Sequence, residues 1–205
     1  MKISRATKLT IIAIIILVID QVVKVLVKTN MCIGESISVL GNWFQLLFVE
    51  NKGMAFGMVF GGNAGKLFLT LFRIALVIFL FYYIKKLLKS KHTPIGVEVG
   101  LMLILVGALG NIIDSMFYGL LFSESTVFTA ATFWPNGGGY APLMMGKVVD
   151  MLYFPVIQGI LPDWFPYRGG EQFIFFRPIF NIADSCITIG AFYLIIFKWK
   201  YFAKK

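Results

Sequence analysis

A chain of 205 residues that is 59% hydrophobic and only 14% charged is too apolar for a soluble domain, where about 25% of residues carry charge. Its net charge of +9 would raise nucleic acid as a partner. However, eleven of the 19 basic residues flank apolar runs: Lys2, Arg5 and Lys8; Lys85, Lys86, Lys89 and Lys91; Lys198, Lys200, Lys204 and Lys205. That is the positive-inside pattern of a membrane protein, and it leaves no charge for nucleic acid to explain.

The first span is predicted over residues 9–27. It has the basic start of a secretory signal but no small-x-small cleavage site, and reads as a retained helix. Asp20 and Lys24 stand four apart in it, acid first, which is the better order for an ion pair on one helical face. The pair reads equally well as an interfacial anchor that neutralises itself. Thr29-Asn30-Met31 before Cys32 is not a lipidation box, and Cys32 and Cys186 lack any framework of spacings, so both are expected to be free thiols. A single histidine, His92 in a basic stretch, argues against Ser-His or Cys-His catalysis and against the H-E-x-x-H zinc motif. No metal or cofactor is called for.

Residues 28–65 are expected to form an outer loop with a strand over 42–49 and turns at Gly53, Gly57, Gly61 and Gly62. In it, Asn51-Lys52-Gly53-Met54-Ala55-Phe56-Gly57 reads as a glycine-rich turn or as part of a site. A second span over 66–84 would measure ~28 Å, close to the hydrocarbon core. Its Arg73 lies ~10 Å down the helix, where snorkelling outward is preferred to meeting a carboxylate. The third span, 95–115, carries Gly107, Ala108 and Gly110 for close helix approach and ends in Gly110-Asn111-Ile112-Ile113-Asp114. A second outer loop, 116–179, is rich in aromatics, glycine and proline suited to a lipid–water boundary. The fourth span, 180–197, returns the chain to its basic side.

The predicted fold class is therefore an all-α membrane protein: one integral-membrane domain over 1–205, with four transmembrane helices, a small extracytoplasmic β-sheet element and long outer loops. Both termini are expected in the cytoplasm. Two acids demand explanation, Asp150 in Gly146-Lys147-Val148-Val149-Asp150-Met151 and Asp184 in Phe180-Asn181-Ile182-Ala183-Asp184-Ser185. A carboxylate in an apolar setting is costly unless paired, solvated or functional. The two together suggest a proton-sharing pair; separately, each reads as a helix cap or an ion-pair partner.

In order, Asp20-Gln21-x-x-Lys24, Asn51-x-Gly53-x-Ala55-Phe56, Gly110-Asn111-x-x-Asp114, Val148-Val149-Asp150 and Phe180-Asn181-x-Ala183-Asp184 resemble the lipoprotein signal peptidases, or signal peptidase II, the bacterial intramembrane aspartic proteases. The resemblance covers nearly the whole chain. It implies that Asp150 and Asp184 are the catalytic dyad, that Asn51, Gly53, Asn111, Asp114 and Asn181 support it, and that Asp20 and Lys24 stabilise its surroundings. It implies substrates that are prolipoproteins with a diacylglyceryl-modified cysteine, cut just before that cysteine, with the site near the outer face of the bacterial inner membrane. Membrane lipid and cyclic-peptide inhibitors such as globomycin are implied as partners. Two departures stand out. Ser115 occupies the place of an arginine that usually follows Gly-Asn-x-x-Asp, leaving Arg73 as a candidate source of that charge. The intervals from Asp114 to Asp150 and from Asp150 to Asp184 are also lengthened, adding outer segments at about 120–145 and 154–177.

The principal rival is a small transporter whose Asp20, Asp114, Asp150 and Asp184 bind protons or cations. Against it, the four acids gather near one membrane face and mark no path across. A structural assembly factor would explain the aromatic loops and leave the paired acids unexplained.

Overall fold

The structure, a computed structural model, describes residues 3–52, 62–90 and 92–203. In chain order these form α1 (Arg5–Asn30), β1 (Ser36–Leu40), β2 (Phe44–Asn51), α2 (Gly62–Leu88), α3 (Ile95–Ile113), a π-helical turn (Asp114–Tyr118), α4 (Gly119–Leu121), β3 (Val148–Tyr153), β4 (Ile157–Ile160), β5 (Gln172–Phe175), β6 (Ile179–Phe180) and α5 (Ile182–Ala203). Among the described residues, four helices are long and apolar enough to cross a membrane: Arg5–Asn30, Gly62–Leu88, Ile95–Leu121 and Ile182–Ala203.

Each of the four spans outruns at least one of its predicted ends. Hydropathy marks only the part that suits ~30 Å of hydrocarbon, whereas backbone hydrogen bonding carries a helix on until something caps it. At the start of α1 the cap is Ser4, whose Oγ accepts the Thr7 N–H at 3.1 Å. The fourth span starts at Ile182 and not at residue 180, because Ile179 and Phe180 pair with Tyr153 and Leu152 of β3.

The third span is the axle of the bundle: 56% of its apolar window is buried, against 17–22% for the other three. It packs most extensively on α5, through small residues. A Cβ on Gly107 would lie 2.2 Å from the Ala183 carbonyl oxygen, and one on Gly110 would lie 2.7 Å from Asp20 Oδ2. Only glycine admits that approach, which carries the start of α5 down onto α1 and α3.

At this end of the bundle, β1, β2, β3 and β6 make one antiparallel sheet in that order. The expected strand at 42–49 is β2, shifted by two residues. The sheet is not confined to the first outer loop, however, since β3 and β6 come from the far side of the third span. Pairing between segments a hundred residues apart follows from helix assembly and leaves no local signal. Alternation along β3 turns Val149 and Met151 onto a core of Phe48, Phe122, Tyr118, Val27 and Met31, and turns Val148 and Asp150 to the other face. Gly53, Met54, Ala55 and Phe56, expected to flank the site, lie outside the described residues.

Candidate active site

The site is built where the head of α5 meets the sheet. Asn181 precedes the helix and accepts the Asp184 N–H at 2.8 Å through its side-chain oxygen, while Asp184 Oδ2 faces the Asn181 N–H at 3.4 Å. This reciprocal exchange between N-cap and third helical residue is a capping box. It satisfies helix-end donors and fixes the Asp184 carboxylate at the positive end of the helix dipole. The capping reading of Asp184 is thus correct, and it does not exhaust the residue: Oδ1 also accepts from Asn111 Nδ2 at 2.7 Å, and the side chain stays half-exposed.

Asp150 stands on β3 with only 4% of its surface exposed. Its Oδ1 accepts from Asn181 Nδ2 at 2.7 Å, and its Oδ2 from Asn51 Nδ2 at 3.2 Å. Asn51 reaches it because Val49 pairs with Asp150 and Asn51 with Val148, which makes Asn51 and Asp150 diagonal neighbours on one face. Asn181 therefore touches both carboxyls, one with its side chain and one with its backbone. Burial, and then the charge of Asp184, push the Asp150 pKa up to about 7, against a smaller opposing pull from the Asn51 and Asn181 amides.

Beneath the two acids lies a buried frame of charge. Lys24 Nζ, fully buried, reaches Asp20 Oδ2 at 3.0 Å, Asp114 Oδ2 at 2.9 Å and Asn111 Oδ1 at 3.0 Å, so all three of its protons are placed. Asp20 Oδ1 accepts the Ala183 N–H at 2.9 Å, and Asp114 Oδ2 the Val149 N–H at 3.3 Å. The Asp20–Lys24 pair is thus more than a self-neutralising anchor: Asp20 holds the backbone just before Asp184, and Lys24 pairs with Asp114, which holds the backbone just before Asp150. Gln21 completes the frame, donating to Asp114 Oδ1 at 2.9 Å and accepting from the Tyr118 hydroxyl at 3.2 Å. Its place between Asp20 and Lys24 was the available signal for that role.

A second cluster was not anticipated. Lys28, one turn beyond Lys24 and fully buried, pairs with Glu50 Oε1 and donates to Ser125 Oγ at 2.9 Å, under the rings of Phe122 and Tyr140. Lys147 Nζ stands 2.9 Å from Glu50 Oε2, within ion-pair range but without hydrogen-bond alignment. Burial acts to raise the Glu50 pKa, but the two lysines outweigh it and hold the carboxyl below its usual range. The cluster ties the added segment near 120–145 to the strand that bears Asn51. The spacing of Asp20, Lys24 and Lys28, which puts three charges on one stripe of α1, could have revealed it.

Ser115 is buried and returns its hydroxyl to the Asn111 carbonyl at 2.9 Å, so it supplies no charge. Arg73, half-buried in α2, lies in the field of Asp184 and then Asp150. Both acids thus lie within electrostatic reach of the guanidinium.

Four membrane-length helices capped by a sheet, with two amide-bridged aspartates at that junction, define a multi-pass membrane protein bearing a carboxyl dyad. The family pattern described as Signal peptidase (SPase) II matches residues 12–200. A lipoprotein signal peptidase of Porphyromonas gingivalis is 50% identical over 183 residues, spanning 89% of this chain and 79% of that protein. One of Amoebophilus asiaticus is 39% identical over 189 residues, spanning 91% and 75%. A solved bacterial membrane enzyme superposes with a TM-score of 0.61 at 25% identity, spanning 97% of this chain and 91% of the other. The chain belongs to the signal peptidase II family.

The frame yields one expectation. Lys24→Met would leave Asp20 and Asp114 buried without their cation, a loss of roughly 3–5 kcal/mol. Thermal unfolding in detergent should show a large fall in midpoint, and adding Asp114→Asn should recover part of it. An unchanged midpoint for Lys24→Met would mean that the ammonium does not hold the frame.

Proposed function

We propose that the chain is an aspartic endopeptidase in which Asp150 and Asp184 form the catalytic dyad, removing signal peptides from diacylglyceryl-modified prolipoproteins just before the lipidated cysteine. The single observation that carries this reading is the bridging of the two carboxyls by Asn181, with one of them held to a pKa of about 7. Such a pair keeps one proton near neutrality, where a lone carboxylate has none. Asp184, half-exposed and in the field of Arg73, takes a proton from the attacking water. Asp150 holds the proton, polarises the scissile carbonyl and then protonates the leaving amine. Asn51, Asn111 and Asn181 orient the two carboxyls, while Asp20, Lys24 and Asp114 hold the backbones that carry them.

Substrate lipid contributes by position. An acyl-anchored peptide keeps its scissile bond near the membrane surface, which is where the heads of the spans place the dyad, and this replaces a three-dimensional search by alignment. Cyclic peptides of the globomycin kind would compete with the substrate for the dyad. In an inner-membrane setting, the basic residues Lys85 and Lys86 in the last turn of α2 and Lys89 just beyond it favour that end of the bundle in the cytoplasm and the dyad at the outer face. Reporter fusions should show Lys89 inside and Asn136 outside; the opposite result would reverse the orientation.

Asp150→Asn and Asp184→Asn test the dyad. Asparagine keeps the shape and most of the hydrogen-bonding reach of aspartate but cannot pass the proton. Each change should lower cleavage of a lipidated prolipoprotein by at least about 100-fold per folded molecule, with membrane insertion intact. Near-normal turnover in either variant would end this reading and leave the acids as caps and ion-pair partners.

A further inference from the structure

Between the two acids, the chain makes an antiparallel hairpin of β4 and β5 that no feature of the dyad requires. Its register pairs Ile157 with Phe175 and Gly159 with Phe173 on one face, and Gln158 with Ile174 and Ile160 with Gln172 on the other. The first face is wholly apolar yet uncovered: Ile157 is 57% exposed, Phe175 52% and Phe173 41%. Two strands standing alone are marginal in water, and an open apolar face makes them more so. The connecting turn is of the same character, with Trp164 79% exposed and Tyr167 fully so. Across residues 154–177 the charges cancel: Arg168 pairs with Glu171 at 2.8 Å, and Asp163 of the turn is balanced by Arg177 beyond β5. A partner recognised by charge is therefore disfavoured.

The base of the hairpin is fixed. Phe154 stacks on Phe44 at 4.6 Å and on Phe180 at 5.8 Å, while Phe176 meets Phe180 edge-on at 6.1 Å. Phe176 also donates its N–H to the Phe154 carbonyl at 3.1 Å. Six residues separate the end of β5 from the head of α5, a reach of at most ~23 Å. The apolar face is thus tethered beside a span whose own outward residues, Ile189 and Phe192, are 60% exposed and face lipid. A tip of tryptophan, tyrosine and arginine beyond an apolar face is the composition that settles at the bilayer interface.

We propose that the β4–β5 hairpin is a lipid-embedded anchor, lying with its Ile157–Phe173–Phe175 face in the leaflet at the site-bearing end of the bundle. There it holds the strand of Asp150 and the cap of α5 at a fixed depth. The occupant is phospholipid, continuous with the lipid around the spans. This rests on the four helices crossing a bilayer and not on the chemistry of the dyad, so it can fail while the peptidase reading stands.

The test uses the full chain at one copy per nanodisc, in phosphatidylcholine with or without bromines near the carbonyl end of the acyl chains. Subtracting the fluorescence of Trp164→Phe from that of the unaltered protein isolates Trp164, an exposed side chain whose replacement should not disturb folding. The expected difference spectrum is blue-shifted, strongly quenched by the lipid bromines and insensitive to aqueous iodide. Phe173→Ser with Phe175→Ser should reverse this, with loss of bromine quenching and gain of iodide quenching. Emission like that of tryptophan in water would overturn the proposal. So would a blue shift that ignores the bromines, which would mean that protein and not lipid covers Trp164. Unchanged lipid quenching in the serine variant would equally overturn it, because the named face would then not be the anchor.

Discussion

The arrangement depends on one buried ammonium. Lys24 lies in the apolar body of α1, where an uncompensated charge would be too costly to keep, and its three protons are met by Asp20, Asp114 and Asn111. Each partner carries a second duty: Asp20 receives the Ala183 amide, Asp114 the Val149 amide, and Asn111 donates to Asp184. The cation therefore draws three segments to one point, the head of α5, the strand of Asp150 and the end of α3. Close packing of glycines 107 and 110 against Ala183 makes that convergence sterically possible.

Asn181 then turns a structural junction into a chemical one. As the cap of α5 it would be needed in any helix starting there, and its remaining amide protons reach Asp150. The same residue thus sets helix register and carboxyl spacing, so the two acids cannot drift apart without uncapping a span. The asymmetry between them follows from position. Asp150 is enclosed between sheet and helices, whereas Asp184 is half-open and nearer in effect to Arg73.

Much of this was legible in the sequence, because a polar residue inside an apolar run is conspicuous. Asp20, Lys24, Asn111, Asp114, Asn181 and Asp184 all sit in or at the mouths of spans and converge as their motifs suggested. The four spans were legible for the same reason, with ends displaced where capping and not hydropathy decides. What could not be read was long-range closure. The pairing of β2 with β3, the burial of Lys28 under Tyr140 and Phe122, and the field of Asp184 and Asp150 at Arg73 arise only once distant segments meet. Sequence near Glu50 gives no sign that Lys28 of α1, with Ser125 and Lys147 from beyond α3, encloses that acid.

The central claim is that the dyad keeps a proton on Asp150 up to neutrality. Infrared difference spectroscopy of the protein in lipid, Asp150→Asn subtracted from the unaltered chain, reads that proton directly through the carbonyl stretch of a protonated carboxyl. An acid whose pKa is raised stays protonated at pH values where an ordinary carboxylate is ionised, and loses its band only as the pH climbs through the raised value. The account predicts a band present at pH 6 and lost with a midpoint of about 7. A band already gone by about pH 5, as for a solvated carboxylate, would contradict it.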